Sequence, residues 1–169
     1  MSEIPEEIVS STWQAVAAIS EGQAHREIEK AGRAQSELLA FVLGSVSDCT
    51  PQAQELAVYL YFVIYQIFKN ATKRRLRPIK ESQIERGISR NEERLARLEG
   101  AHPRFQERAA LLEMSPQPFV VQYLVEAIIE APEDEDPLEL TEEESGTLFL
   151  VLKTVIDLLH EERERVEAG

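Results

Sequence analysis

Apolar residues recur along this chain at intervals of three and four, and no stretch alternates apolar and polar positions between turn residues as a hairpin would. The pattern predicts an all-α protein, a single-domain bundle of six or seven helices spanning residues 1–169. A first helix starting at Pro5 places Val9, Trp13, Val16 and Ala17 on one face and runs to about Glu21. A second, from about His25 to Val46, turns Ile28, Ala31, Leu38, Leu39, Val42 and Val46 inward and closes at Ser47-Asp48.

Thr50-Pro51 pairs an N-cap with a first-turn proline and opens a helix from Gln52 to about Arg75. Its middle is apolar on every side, which predicts a central position in the bundle. Arg77-Pro78 forces a break. From about Lys80 to Leu98, Ile84, Ile88, Asn91, Leu95 and Leu98 follow one another at spacings of four, three, four and three, a short heptad seam with Asn91 at its centre. A short helix is expected from about Arg104 to Met114. Ser115-Pro116 then repeats the cap-and-proline start for an apolar helix reaching Glu130. Residues 131–140 hold two prolines and five acids and read as a solvated acidic loop. Thr141 with Glu144 forms a capping box for a last helix to about Arg165. The tripeptides Thr50-Pro51-Gln52 and Ser115-Pro116-Gln117 hint at duplication, but the match fades beyond them and two ordinary helix starts explain them better.

Charge alters this picture. The 169 residues carry a net charge of −13, which opposes attraction to nucleic acid or anionic membrane. The sum conceals a basic island: residues 69–108 hold 12 of the 18 Lys and Arg against six Glu. The longest apolar stretch, Leu56 to Tyr65, is well short of the roughly 18 residues that span a membrane. The acidic first residues do not resemble a signal peptide, and the single Cys49 cannot form an intrachain disulfide. A cytoplasmic location is expected.

Chemistry is sparse. There is no glycine-rich phosphate loop, nucleophile elbow, paired CxxC or HExxH, and no cofactor is expected. Asp157 and His160, with Glu161 and Glu164, have ligand-like spacing, and a second helix offers Glu21, His25 and Glu29. On a helical wheel the first four lie opposite the apolar half of the last helix, facing solvent or a partner, and Lys153 four residues before Asp157 suggests an ion-paired face, so no metal site is assigned. Residues 109–124 have the outline of a helix-turn-helix, but the would-be reading helix has no Arg or Lys, and nucleic acid is not expected as a partner. Arg86, Arg90, Arg94 and Arg97 group on one side of the seam helix, with Glu85, Glu92 and Glu99 on its other flank. The expectation is a non-enzymatic protein-interaction or regulatory protein that self-associates, with a homodimer surface of Ile84, Arg86, Ile88, Arg90, Asn91, Arg94, Leu95, Arg97 and Leu98. A carboxylate- and histidine-dependent helical enzyme and a nucleic-acid-associated regulator using residues 69–108 are the alternatives.

Overall fold

The structure, a computed structural model, describes residues 3–99, 115–129 and 140–169. The expected helix from Arg104 to Met114, the acidic loop and the side chains of Arg97 and Leu98 lie outside the described residues. Within them the chain is all-helical, with seven helices and no strand: α1 (Glu6–Ala18), α2 (Glu21–Ala34), α3 (Ser36–Ser45), α4 (Pro51–Ala71), α5 (Glu81–Glu99), α6 (Pro118–Ile129) and α7 (Glu142–Ala168).

Helix α4 is central, as its apolar circumference requires: Leu60, Tyr61, Phe62, Val63, Ile64, Tyr65, Ile67 and Phe68 are all buried. Its N-cap Thr50 accepts from the Ala53 amide at 3.2 Å. Helix α7 is a second centre, packed against α3, α4, α5 and α6. The capping box at its start is present, and it reaches further than its own turn. The Glu144 carboxylate also accepts from the Thr50 amide at 2.9 Å and the Thr50 hydroxyl at 3.0 Å, so one side chain joins the starts of both central helices. These bonds hold the Glu144 pKa below the usual carboxylate range. They also add Glu144 to the acids near Cys49, whose pKa is raised chiefly by burial; that thiol stays protonated.

Three expectations are corrected. In α1 the buried stripe runs through Val9 and Thr12, while Trp13 and Ala17 are exposed; Thr12 is tolerated inside because its hydroxyl accepts from Asn70 Nδ2 at 3.0 Å. The single helix expected from His25 to Val46 is two helices, broken at Gln35. The fully buried Gln35 side chain leaves the helical path to donate to the Arg77 carbonyl at 2.9 Å and accept from the Ile79 amide at 2.8 Å. Finally, α6 begins at Pro118. Gln117 precedes it and is fully buried, whereas Gln52 is exposed in the first turn of α4, so the two similar tripeptides play different structural parts.

Replacement of Gln35 by Ala leaves the Arg77 carbonyl and the buried Ile79 amide without partners, at about 1–3 kcal/mol each. The expected loss of stability in urea denaturation is therefore about 2–5 kcal/mol. A loss below about 0.5 kcal/mol, typical of a surface substitution, would show that Gln35 does not hold the connection before α5.

Candidate anion-binding cleft

The buried polar residues Glu144, Lys153, Thr154 and Glu162 of α7 each have a specific partner, and these partners determine which charges remain free. The expectation that the Asp157 and His160 side of α7 faces outward is corrected. Lys153 is 2% exposed and donates to both Asp157 oxygens at 2.6 and 2.7 Å. Asn91 reaches across from α5 to Thr154 Oγ1 at 3.0 Å and Asp157 Oδ2 at 3.1 Å. The seam residue Asn91 thus pairs through its Nδ2 with α7 of its own chain. Ile84 is buried in the main core, Leu95 packs against it, and Ile88 is half-buried. The close approach of α5 needs Gly87, where a Cβ would stand 3.1 Å from Leu158 Cδ2 and 3.3 Å from Thr154 Cγ2.

Asp157 and His160 are each tied to a neighbour. Asp157 is held by Lys153 and Asn91, and His160 Nδ1 lies 3.1 Å from Gln117 Nε2. His25 and Glu29 form an exposed pair at 3.3 Å. Among the described residues no three His, Cys, Asp or Glu side chains converge to hold a metal ion. No helix among them is long and apolar enough to cross a membrane.

The arginine side of α5 is interspersed with acids. Arg86, Arg90 and Arg94 are exposed, but Arg90 pairs with Glu161 at 2.7 Å. The shallow groove beside them sets Arg86, Arg90 and Arg165 against Glu85, Glu93 and Glu161.

The unbalanced positive charge lies elsewhere, in a cavity of about 730 Å³ between α2, the end of α4 and the connection from Thr72 to Pro78. Lys30 and Arg33 come from α2, Lys69 from α4, and Lys73, Arg74 and Arg75 from the connection; Glu27 is the one acid among the lining residues. All six cations are exposed, and none makes an ion pair among the described residues. Tyr65 is 8% exposed and forms part of the wall. Burial pushes its pKa up, partly offset by the nearby Arg75 charge, so the hydroxyl keeps its proton at neutral pH.

The connection is fixed by its backbone. Arg163 Nη2 donates to the Ala71 carbonyl at 3.3 Å, the Lys73 amide donates to Glu167 at 2.9 Å, and the Arg77 amide donates to the buried Glu162 at 3.2 Å. Gln35 secures the far end. The acids of α7 therefore bind main-chain donors here and leave the Lys73, Arg74 and Arg75 side chains free. The cluster Lys73, Arg74, Arg75 and Arg77 is visible in the sequence, whereas Lys30, Arg33 and Lys69 join it only through packing.

A second buried glutamine ties down the start of the chain. The Ile4 amide donates to Gln117 Oε1 at 2.8 Å, so the Gln117 NH₂ must face His160, whose Nδ1 accepts. Protonation of His160 turns that acceptor into a donor. Its pKa is lowered mainly by burial and also by Arg163, against the opposing pull of Glu164, Asp157 and Glu161. A folded pKa below the unfolded value means that the unfolded chain takes up the proton first, so stability falls as pH drops below about 6.5. Glu144 acts in a lower window, its contribution present above its unfolded pKa and lost as pH falls through its depressed folded pKa. In urea denaturation, stability should decline between pH 7 and pH 5.5, and His160→Gln, which offers Gln117 an oxygen that does not titrate in this range, should reduce that decline. Identical pH dependence in the two proteins would exclude His160 as its source.

No protein-family model, curated protein or solved structure matches the chain.

Proposed function

We propose that this is a non-enzymatic binding protein that engages an acidic segment of a protein partner at the cleft between α2 and the connection from Thr72 to Pro78. One observation carries the reading: six exposed, unpaired cations converge on one concavity in a chain whose net charge is −13. Gathering like charges costs electrostatic self-repulsion, and an anionic partner relieves that cost.

The same numbers favour a short acidic segment over a long polyanion. With the cations of the cleft set aside, the rest of the chain is more acidic than its total, so a nucleic acid that continued past the cleft would run over repelling surface. A second copy of this acidic chain is itself a partner of the right charge. Self-association is accordingly proposed through cleft-to-acid contact, since Ile84 and Asn91 of the heptad seam are engaged by their own chain.

A synthetic Asp- and Glu-rich peptide, titrated into the full-length protein at about 0.15 M ionic strength, tests this by NMR. It should shift the amides of Ala31, Tyr65, Lys73, Arg74 and Arg75. Charge reversal of Arg33, Arg74 and Arg75 together should weaken binding at least tenfold, given about 0.2–1 kcal/mol for each exposed pair lost and further repulsion from each reversal. Shifts confined to other surfaces, or affinity unchanged by the triple reversal, would overturn the assignment. Sedimentation should show association that weakens with salt and with the same substitutions; a wild-type monomer at high concentration and low salt would remove the self-association component alone.

A further inference from the structure

We infer that the cleft is built for a phosphate monoester, carried by a phosphorylated side chain of the partner segment. The inference rests on the reading of the cleft as the partner-binding site and adds the chemistry of the group it takes.

Charge density is the first argument. The C-terminal ends of α2 and α4 point toward this region, each worth about half a negative charge, and with Glu27 they subtract about two of the six positive charges. The remaining surplus exceeds what one carboxylate neutralises. In an extended peptide, carboxylates are strung out along the chain with successive side chains on opposite sides, so few can enter a single concavity together. A phosphorylated side chain delivers about −1.5 to −2 charges and three strong acceptor oxygens at one point.

The donors fit that group. Three of the six cations are arginines, whose planar forks bind phosphate oxygens in pairs. They come from two elements, Arg33 from α2 and Arg74 and Arg75 from the connection. The Tyr65 hydroxyl, in the wall beside Arg75, has no hydrogen-bond partner among the described residues and can donate to the same group. The backbone carrying Arg74 and Arg75 is already held by Glu162, Glu167, Arg163 and Gln35, so a ligand need not order it.

The experiment titrates the full-length protein with four probes in phosphate-free and sulfate-free buffer: one acidic peptide with a central phosphoserine, the same peptide with Ser, the same with Glu, and inorganic phosphate. The phosphopeptide should bind at least tenfold more tightly than the Glu peptide and shift the amides of Ala31, Tyr65 and Lys73 to Arg75. Its affinity should fall several-fold from pH 7.5 to pH 5.5 as the phosphate loses its second charge near pH 6. Arg75→Gln and Tyr65→Phe should weaken the phosphopeptide several-fold more than the Glu peptide, a selectivity that general damage to the fold would not produce. If Glu and phosphoserine peptides bind equally at the cleft, the phosphate inference is overturned and the acidic-partner reading stands. If no probe moves these amides, both fall. If inorganic phosphate binds as tightly as the phosphopeptide, the phosphate chemistry holds and the side-chain source is overturned.

Discussion

Helix α7 is enclosed on more than its apolar half, and the rest of the molecule is organised around satisfying what that enclosure buries. A helix with Glu144, Lys153, Thr154 and Glu162 inside the protein is stable only if each finds a partner. Lys153 finds Asp157, Thr154 receives Asn91 from α5, Glu144 receives the start of α4, and Glu162 receives the Arg77 amide and Arg165. Together these contacts fix the positions of α4, α5 and the connection between them. Removing one member of such a pair costs more than the pair contributes, because the other remains buried and unpaired.

This arrangement also explains why an acidic protein presents an unneutralised basic cleft. Near the connection, Glu162 and Glu167 face main-chain amides, whose positions are set by the turn out of α4 and by the extended geometry before Pro78. Carboxylates used in this way are not available to the lysine and arginine side chains next to them in sequence. Along α5 the arrangement is reversed at one position: Glu161 meets Arg90 directly, in a groove that sets acids among its arginines. Position, rather than the number of basic residues, therefore separates the cleft from the α5 surface.

Local chemistry was legible in the sequence and long-range pairing was not. The cap at Thr50, the box of Thr141 and Glu144 and the central role of α4 all follow from residues within a few positions of one another, whereas α4 ends at Ala71, short of the expected Arg75 and well before Pro78. The link from Glu144 to Thr50 spans 94 residues and leaves no local trace. Gln35 did leave one: it occupies an inward position between Ala31 and Leu38, and a polar residue on an apolar face requires a partner. Gln117 carries the same signal immediately before the apolar α6. Asn91 was recognisable as a seam residue in need of a partner, but periodicity cannot distinguish a second chain from α7 of the same chain. The metal-like spacing of Asp157 and His160 reflects two separate tethers, one to α5 and one to Gln117.

The cleft illustrates how rigidity and charge can oppose each other in one site. Six like charges around a cavity favour loosening of the segment that carries half of them, and three residues of α7 together with Gln35 resist that loosening through the backbone. The repulsion is thus borne by the folded state rather than relieved by local opening, and it remains available to any anion that enters. The proposed binding there would draw on attraction already assembled, without the ordering cost that a mobile basic loop would incur. By linkage, an occupied cleft in turn stabilises the contacts that hold Thr72 to Pro78 against the end of α7. In the proposed binding role, the buried polar residues of α7 set the geometry in which the exposed cations of the connection would select a partner.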